Sequence, residues 1–178
     1  MLFRSFNPTP LTLDGEAWMP RAEYHPPDWC ADQPGDPLDL QWDHDAIRWL
    51  QDNAVGTPVI LEAHGSQYCW NSRFSQYTGL PTVIGWPWHQ TQQRNDADAV
   101  RRRAQDVAAI YNTRSQQTAL DLLDDYDVAY VVVGDLEHLY YLPDGIAKFD
   151  LMVGSGTLDL AYANHGTKIY EVKKTETR

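Results

Sequence analysis

Basic residues are scarce in this chain: 14 Lys and Arg stand against 25 Asp and Glu, a net charge of -11. That balance repels phosphate backbones and argues against nucleic acid as a partner, while favouring solubility and cationic partners. No apolar run approaches the roughly 20 residues that span a bilayer, and the opening "MLFRSFNPTP" has no signal-peptide core, so a soluble chain is expected. Cysteine occurs only at positions 30 and 69, without metal-type spacing. Spacing alone leaves open whether Cys30 and Cys69 meet, and two buried free thiols are the simplest reading. Also missing are a glycine-rich phosphate loop, a nucleophile elbow, a zinc-binding helix and a paired-cysteine motif. These absences exclude the best-known catalytic signatures.

What remains is a chain of 178 residues, enough for one ordinary domain with a real core. Seven Trp and ten Tyr are many for that length, and such rings serve cores, interfaces and sugar-facing surfaces alike. Residues 1–40 contain "HPPDWCADQPGDP", which prevents a long helix, so they read as an irregular N-terminal arm over a single α/β domain at 41–178. "DHDAIRWLQDN" predicts a short helix capped by Asp43, with Ile47 and Leu50 at helical spacing. "TPVILEAHG" and "PTVIGWPWH" both read as buried strands that end in polar loops.

The residues after Asn95 predict a helix capped there, with Val100, Ala104, Val107, Ala108 and Tyr111 on one face. Ser115 caps a second helix whose inner face is Ala119, Leu122, Leu123 and Tyr126. "VAYVVVG" reads as a strand covered on both faces, and "KFDLMVG" and "TKIYEVKK" as terminal strands, the last at a sheet edge. "GSGTLD" reads as a hairpin or loop. The fold class expected from this order is α/β, a three-layer sandwich with a mainly parallel central sheet.

In open α/β sheets ligands bind beyond the carboxyl ends of the strands, which directs attention to the residues that follow each strand. Those are Glu62, His64 and Tyr68; Trp86, Trp88, His89, Gln90 and Arg94; and Asp135, Glu137, His138 and Tyr141. Any single polar loop residue is more simply a solvated one, so the argument depends on convergence. Glu62 and His64 suit a base with its orienting partner or a pair of metal ligands, though a local hydrogen-bonded structure is the commoner outcome. The His, Gln and Arg of the second group suit an anionic or hydroxyl-rich ligand beside an aromatic wall. Asp135, Glu137 and His138 with Glu62 would supply enough ligands for a divalent metal, but no fixed metal motif is present and no cofactor is expected. "RRR" at 101–103 reads as a solvated helix face, with contact to lipid headgroups the alternative.

"LDGEAWM", "AIRWLQDN", "PVILEAHGSQYCWNSRFSQYTGLPTVIGWPWHQTQQR", "DVAAIYNT" and "YDVAYVVVGDLEHLYY" together resemble the C-terminal region of the YYY-type polytopic membrane proteins of archaea and bacteria. That family is uncharacterised and similar in layout to the membrane-embedded glycosyltransferases that use lipid-linked sugar donors. The resemblance runs from about Leu13 to Phe149. It departs from the family pattern at Gln90, where a more acidic residue is expected, near Arg94, where an aromatic is expected, and at His138, where an arginine is expected.

The resemblance implies an extracytoplasmic soluble domain beside a membrane, partnered by the transmembrane portion of the same protein. It also implies that Arg73, Trp86, His89, Gln90 and Arg94 line a rim that meets lipid-linked sugar or glycan, or the membrane part itself, and the strand-end residues Glu62, His64, Tyr68 and Glu137 complete the expected substrate-binding set. Because such enzymes usually carry their catalytic carboxylates in membrane loops, the domain would position substrate rather than catalyse. Two competitors remain: a free-standing soluble enzyme using Glu62, His64 and His89 as acid, base or metal ligands, and a purely structural docking domain.

Overall fold

The computed structural model describes residues 15–30, 36–94 and 96–173. A short 3-10 helix at Met19–Arg21 leads to a two-residue ribbon of β1 (Glu23–Tyr24) antiparallel to β2 (Leu38–Asp39). Met19, Tyr24 and Leu38 are buried in the common core, so this N-terminal stretch packs on the body of the domain.

Helix α1 (Leu40–Asn53) starts three residues earlier than its sequence pattern suggests. Its cap is Asp39, whose carboxylate accepts from the backbone N–H of Gln41, and not Asp43, which lies on the buried face with Leu40, Ala46, Ile47 and Leu50. After it come β3 (Val59–Leu61), α2 (Arg73–Thr78) and α3 (Pro87–Gln93). The two expected amphipathic helices follow as α4 (Ala97–Asn112) and α5 (Gln116–Asp125). Ser115 caps α5 by accepting from Thr118 N. Asn95 lies outside the described residues, and Asp96 caps α4 by accepting from Ala99 N. Then come β4 (Val128–Gly134), α6 (Asp135–Tyr140), α7 (Pro143–Gly154), β5 (Leu158–Ala163) and β6 (Thr167–Val172).

The main sheet has the order β3-β4-β6-β5 and is mixed. Only β3 and β4 run parallel; β4 with β6, and β6 with β5, are antiparallel. Three expectations fail here, each for a local reason. "PTVIGW" contributes a single bridge, Ile60 to Thr82, because Pro81 has no N–H to donate and Pro87 starts a helix soon after. "KFDLMVG" is the second half of α7, whose helical spacing appears only when Ile146, Phe149 and Met152 are read from Pro143 onward. β6 is an interior strand, because "LDLAYA" forms β5 and takes the edge. "GSGTLD" is the turn from α7 into β5, with Gly156 at φ 79°.

Helix α1 packs against β5 and β6, α5 against β4, and α7 against β5 and α4. α7 approaches α4 so closely that a Cβ on Gly145 would lie 2.2 Å from the carbonyl oxygen of Tyr111, so glycine is required there. Tyr111 itself is fully buried, donates to the carbonyl of Val132 in β4 and stacks on Tyr141. The outcome that matters for the site is that the ends of β3 and β4 lie side by side.

Candidate functional site

At those adjacent strand ends the chain buries a guanidinium among three carboxylates. Arg73 is 1% exposed, Glu62 and Glu137 are 0%, and Asp43 is 6%. Arg73 Nε and Nη2 donate to Asp43 at 2.5 and 3.1 Å, and its Nη1 and Nη2 donate to Glu137 at 3.0 and 2.9 Å. The planar fork of arginine is the side chain that can serve two carboxylates in this way. Glu137 also accepts from the backbone N–H of Ala63 and of Gly134, both at 2.8 Å, which ties the end of β3 to the end of β4. Asp43 accepts from Trp70 Nε1 at 2.8 Å and, at 3.4 Å, from the hydroxyl of Thr167 in β6. A Cβ on Gly134 would fall 3.0 Å from Arg73 Nη2, so the strand needs glycine where the guanidinium passes.

Glu62 is the third carboxylate, and it bonds to backbone instead of to Arg73. Its oxygens accept from Phe74 N and Ser75 N, both at 2.9 Å, at the start of α2. Burial opposes the charge of Arg73, but Asp43 and Glu137 outweigh it and hold the guanidinium well above its ordinary value. Burial also works against the charge of Glu137, yet Arg73 and the two backbone donors keep it below the usual carboxylate range. For Glu62 burial prevails over Arg73 and the same kind of donors, and its carboxyl is pushed up to about 7.

A folded-state value above the unfolded one means that folding takes up a proton, so this stability is present at low pH and is lost as pH rises through about 7. Glu62→Gln removes the titration. Relative to that variant, the wild type is expected to lose about 3 kcal/mol of unfolding free energy between about pH 4.5 and pH 8, the equivalent of the upward shift. Urea denaturation of both proteins across that range measures it, and parallel pH profiles would refute the assignment.

Separate from this ionic cluster the chain assembles a set of partly exposed rings. Tyr68, Trp86 and His89 contact one another in a triangle, with centroids 5.5 Å apart for Tyr68 and Trp86, 5.3 Å for Tyr68 and His89, and 5.2 Å for Trp86 and His89. Tyr68 is 63% exposed, and Trp88, in α3 with His89, is 57% exposed. Tyr68 takes a left-handed backbone (φ 64°), as does Ser72 (φ 63°), an uncommon conformation that for non-glycine residues needs support from its surroundings.

That support is present in the loop between β3 and α2. Cys69 is bonded to Cys30, with Cα atoms 5.7 Å apart, so the two cysteines are a bridge and not free thiols. Trp29, 66% exposed, and Tyr68 therefore flank the same bridge. Trp70 packs edge-on against Trp18, and its N–H donates to the hydroxyl of Tyr24. The buried Asn71 amide satisfies its neighbours when its nitrogen donates to Ser66 O and its oxygen accepts from Gly65 N and from Trp86 Nε1, at 3.0, 3.2 and 3.2 Å. Asn71 thus links the loop to the rim.

Eight of the nine residues expected to contact substrate fall into two groups. Arg73, Glu62 and Glu137 belong to the buried ionic cluster. Tyr68, Trp86 and His89 form the rim, with Gln90 half-buried and Arg94 exposed on the same short helix and at its end. His64 joins neither: its Nε2 donates to the carbonyl of Ala104 at 2.6 Å, and burial lowers its pKa. With Nε2 protonated, the buried Nδ1 is an acceptor for which the structure records no donor. Glu62, His64 and His89 therefore engage three separate sets of partners.

Among the described residues no three His, Cys, Asp or Glu are grouped to hold a metal ion. Asp135 and His138 instead line a shallow cleft with His165 and Lys168. Of the three arginines at 101–103, Arg101 pairs with Asp98, while Arg103 donates to Val83 O and lies over the ring of Tyr126.

Asp43, Asn71 and Ser72 were not recognised as site residues from the sequence. For Asp43 a signal exists: positions 43, 46, 47 and 50 share one helical face, and an acid on an apolar face calls for a buried partner. For Asn71 and Ser72 no local pattern marks them.

No protein-family profile matches the chain, and no curated protein is similar to it. Among solved structures, the chain is similar to the C-terminal globular domain of oligosaccharyltransferase from Archaeoglobus fulgidus, at 16% identity and a TM-score of 0.47, over 72% of this chain and 95% of that one.

Proposed function

We propose that this chain is an extracytoplasmic domain of a multi-pass, glycosyltransferase-like membrane protein, and that it recognises or positions a sugar-bearing substrate instead of performing the transfer itself. The observation that carries the reading is the rim of Tyr68, Trp86 and His89, whose rings are held in mutual contact at the surface and tied through Trp86 Nε1 to the buried Asn71. Rings of this kind offer the apolar faces of a sugar a flat surface, and the polar edges of Tyr, Trp and His serve its hydroxyls. A rim fixed in advance loses little conformational entropy on binding.

Two further observations support the setting. The Cys30–Cys69 bridge suits an oxidising compartment, as found outside the cytoplasm. No helix of the described residues is long and apolar enough to cross a membrane, so the spanning part proposed here would lie elsewhere in the protein.

Titration with methyl glycopyranosides and short oligosaccharides, followed by tryptophan fluorescence, tests the reading. Binding is expected in the wild type and is expected to weaken about tenfold or more in Trp86→Ala, equivalent to about 1.4 kcal/mol. A wild type that responds to no sugar, or a Trp86→Ala that responds as the wild type does, would overturn it.

A further inference from the structure

Beside Gly85, the residue before Trp86, lies a polar group that the structure leaves without a partner. Ser72 is 5% exposed, and its hydroxyl oxygen is buried and makes no hydrogen bond. Such groups in folded proteins are normally satisfied, and an exception calls for a missing partner. Ser72 precedes Arg73 at the start of α2, and its left-handed backbone is not a conformation serine adopts without constraint. Gly85, directly before Trp86, lies alongside. A Cβ at Gly85 would sit 3.3 Å from Gln90 Nε2 and 3.4 Å from Ser72 Oγ, so the missing side chain leaves a gap bordered by both polar groups. The Gln90 amide, half-buried on α3, carries two donors and an acceptor that a ligand hydroxyl can meet.

We infer that Ser72, Gly85 and Gln90 form a notch that takes a single hydroxyl of a sugar whose ring rests on Trp86, and that this notch sets which sugar is accepted. The inference rests on the sugar-binding reading of the rim. The ligand hydroxyl enters over Gly85, displacing the Gln90 amide, and donates to or accepts from Ser72 Oγ while Gln90 bonds its outer side. Hydroxyl recognition by a buried polar pair discriminates strongly, because a sugar without that hydroxyl leaves both partners unsatisfied, whereas the aromatic faces accept most pyranoses alike.

The experiment compares methyl glycopyranosides that differ at one hydroxyl, titrated against wild type, Ser72→Ala and Gly85→Ala by tryptophan fluorescence. The wild type is expected to prefer one epimer by about tenfold or more. Ser72→Ala is expected to flatten that preference while still binding the panel. Gly85→Ala, which fills the gap with a methyl group at ordinary backbone angles, is expected to reject the preferred sugar selectively. Circular dichroism on both variants checks that they fold, and if Ser72→Ala fails to fold, Gly85→Ala alone decides. Binding of the whole panel with no epimer preference, or a preference unchanged in the folded variants, would overturn the notch and leave the rim intact. Absence of any binding in the wild type would overturn both.

Discussion

Replacing Arg73 by methionine is expected to destabilise the domain by about 3 to 5 kcal/mol, the cost of leaving buried charges without their partner. Methionine keeps the length and apolar stem of arginine but abandons Asp43 and Glu137, which are 6% and 0% exposed. At this chain length each kcal/mol corresponds to roughly 2 to 4 °C, so the melting temperature is expected to fall by about 10 °C. Removing the carboxylates as well does not restore the loss. Glu137 is the acceptor for Ala63 N and Gly134 N, and Asp43 for Trp70 Nε1, so apolar replacements there leave buried donors without acceptors. Lysine at 73 keeps the charge but not the fork that reaches two carboxylates, and is expected to fall between wild type and methionine. Equilibrium urea unfolding of the three proteins measures the series. A cost below about 1 kcal/mol for Arg73→Met would mean that water reaches the cluster.

Opening the Cys30–Cys69 bridge is the second large effect expected. The two residues are 39 apart in sequence, and the chain-entropy relation for a loop of that size gives about 4 kcal/mol of stabilisation through the unfolded state. The bridge also fixes the residue next to Tyr68, so its loss is expected to loosen the rim as well as to lower stability. Cys30→Ser/Cys69→Ser compared with wild type in urea provides the first readout. The second is sugar titration of the folded double variant, expected to show weaker binding than wild type at a temperature where both are native. A stability change under about 0.5 kcal/mol together with unchanged sugar response would show that the N-terminal stretch and the Tyr68 loop hold their places without the covalent link.

Where the fold was legible, the signal was short-range. The inner faces of α4 and α5 follow from apolar residues three and four apart, the start of α5 from Ser115, and β4 from an unbroken apolar run. The failures have the same origin. The last seven residues of α7 look like a strand when separated from the turn that precedes them, and β6 looks like an edge strand because its partner β5 alternates too weakly to stand out. The mixed character of the sheet depends on which way the chain turns between α7 and β6, and no residue spacing encodes that.

The candidate site divides in the same way. Tyr68, Trp86, His89 and Gln90 were recognisable as unusual because rings and amides crowd an otherwise apolar stretch, yet that crowding does not tell which rings touch. Glu62 and Glu137 stand out as polar groups after strands and Arg73 only through the family resemblance, whereas their burial depends on helix α1 bringing in Asp43 from 30 residues before Arg73 and on β4 bringing Glu137 from 64 residues after it. By itself, the sequence determined the acidic balance, the apolar faces of α1, α4 and α5, the Ser115 cap, the central strand and the aromatic crowding, because these depend on neighbours within a turn or two of the same chain. Only the tertiary structure decided that one arginine serves two distant carboxylates, that Cys30 meets Cys69, and that an unpartnered serine lies beside Gly85. Those contacts form between segments that the closing of the fold brings together, so no local spacing can carry them.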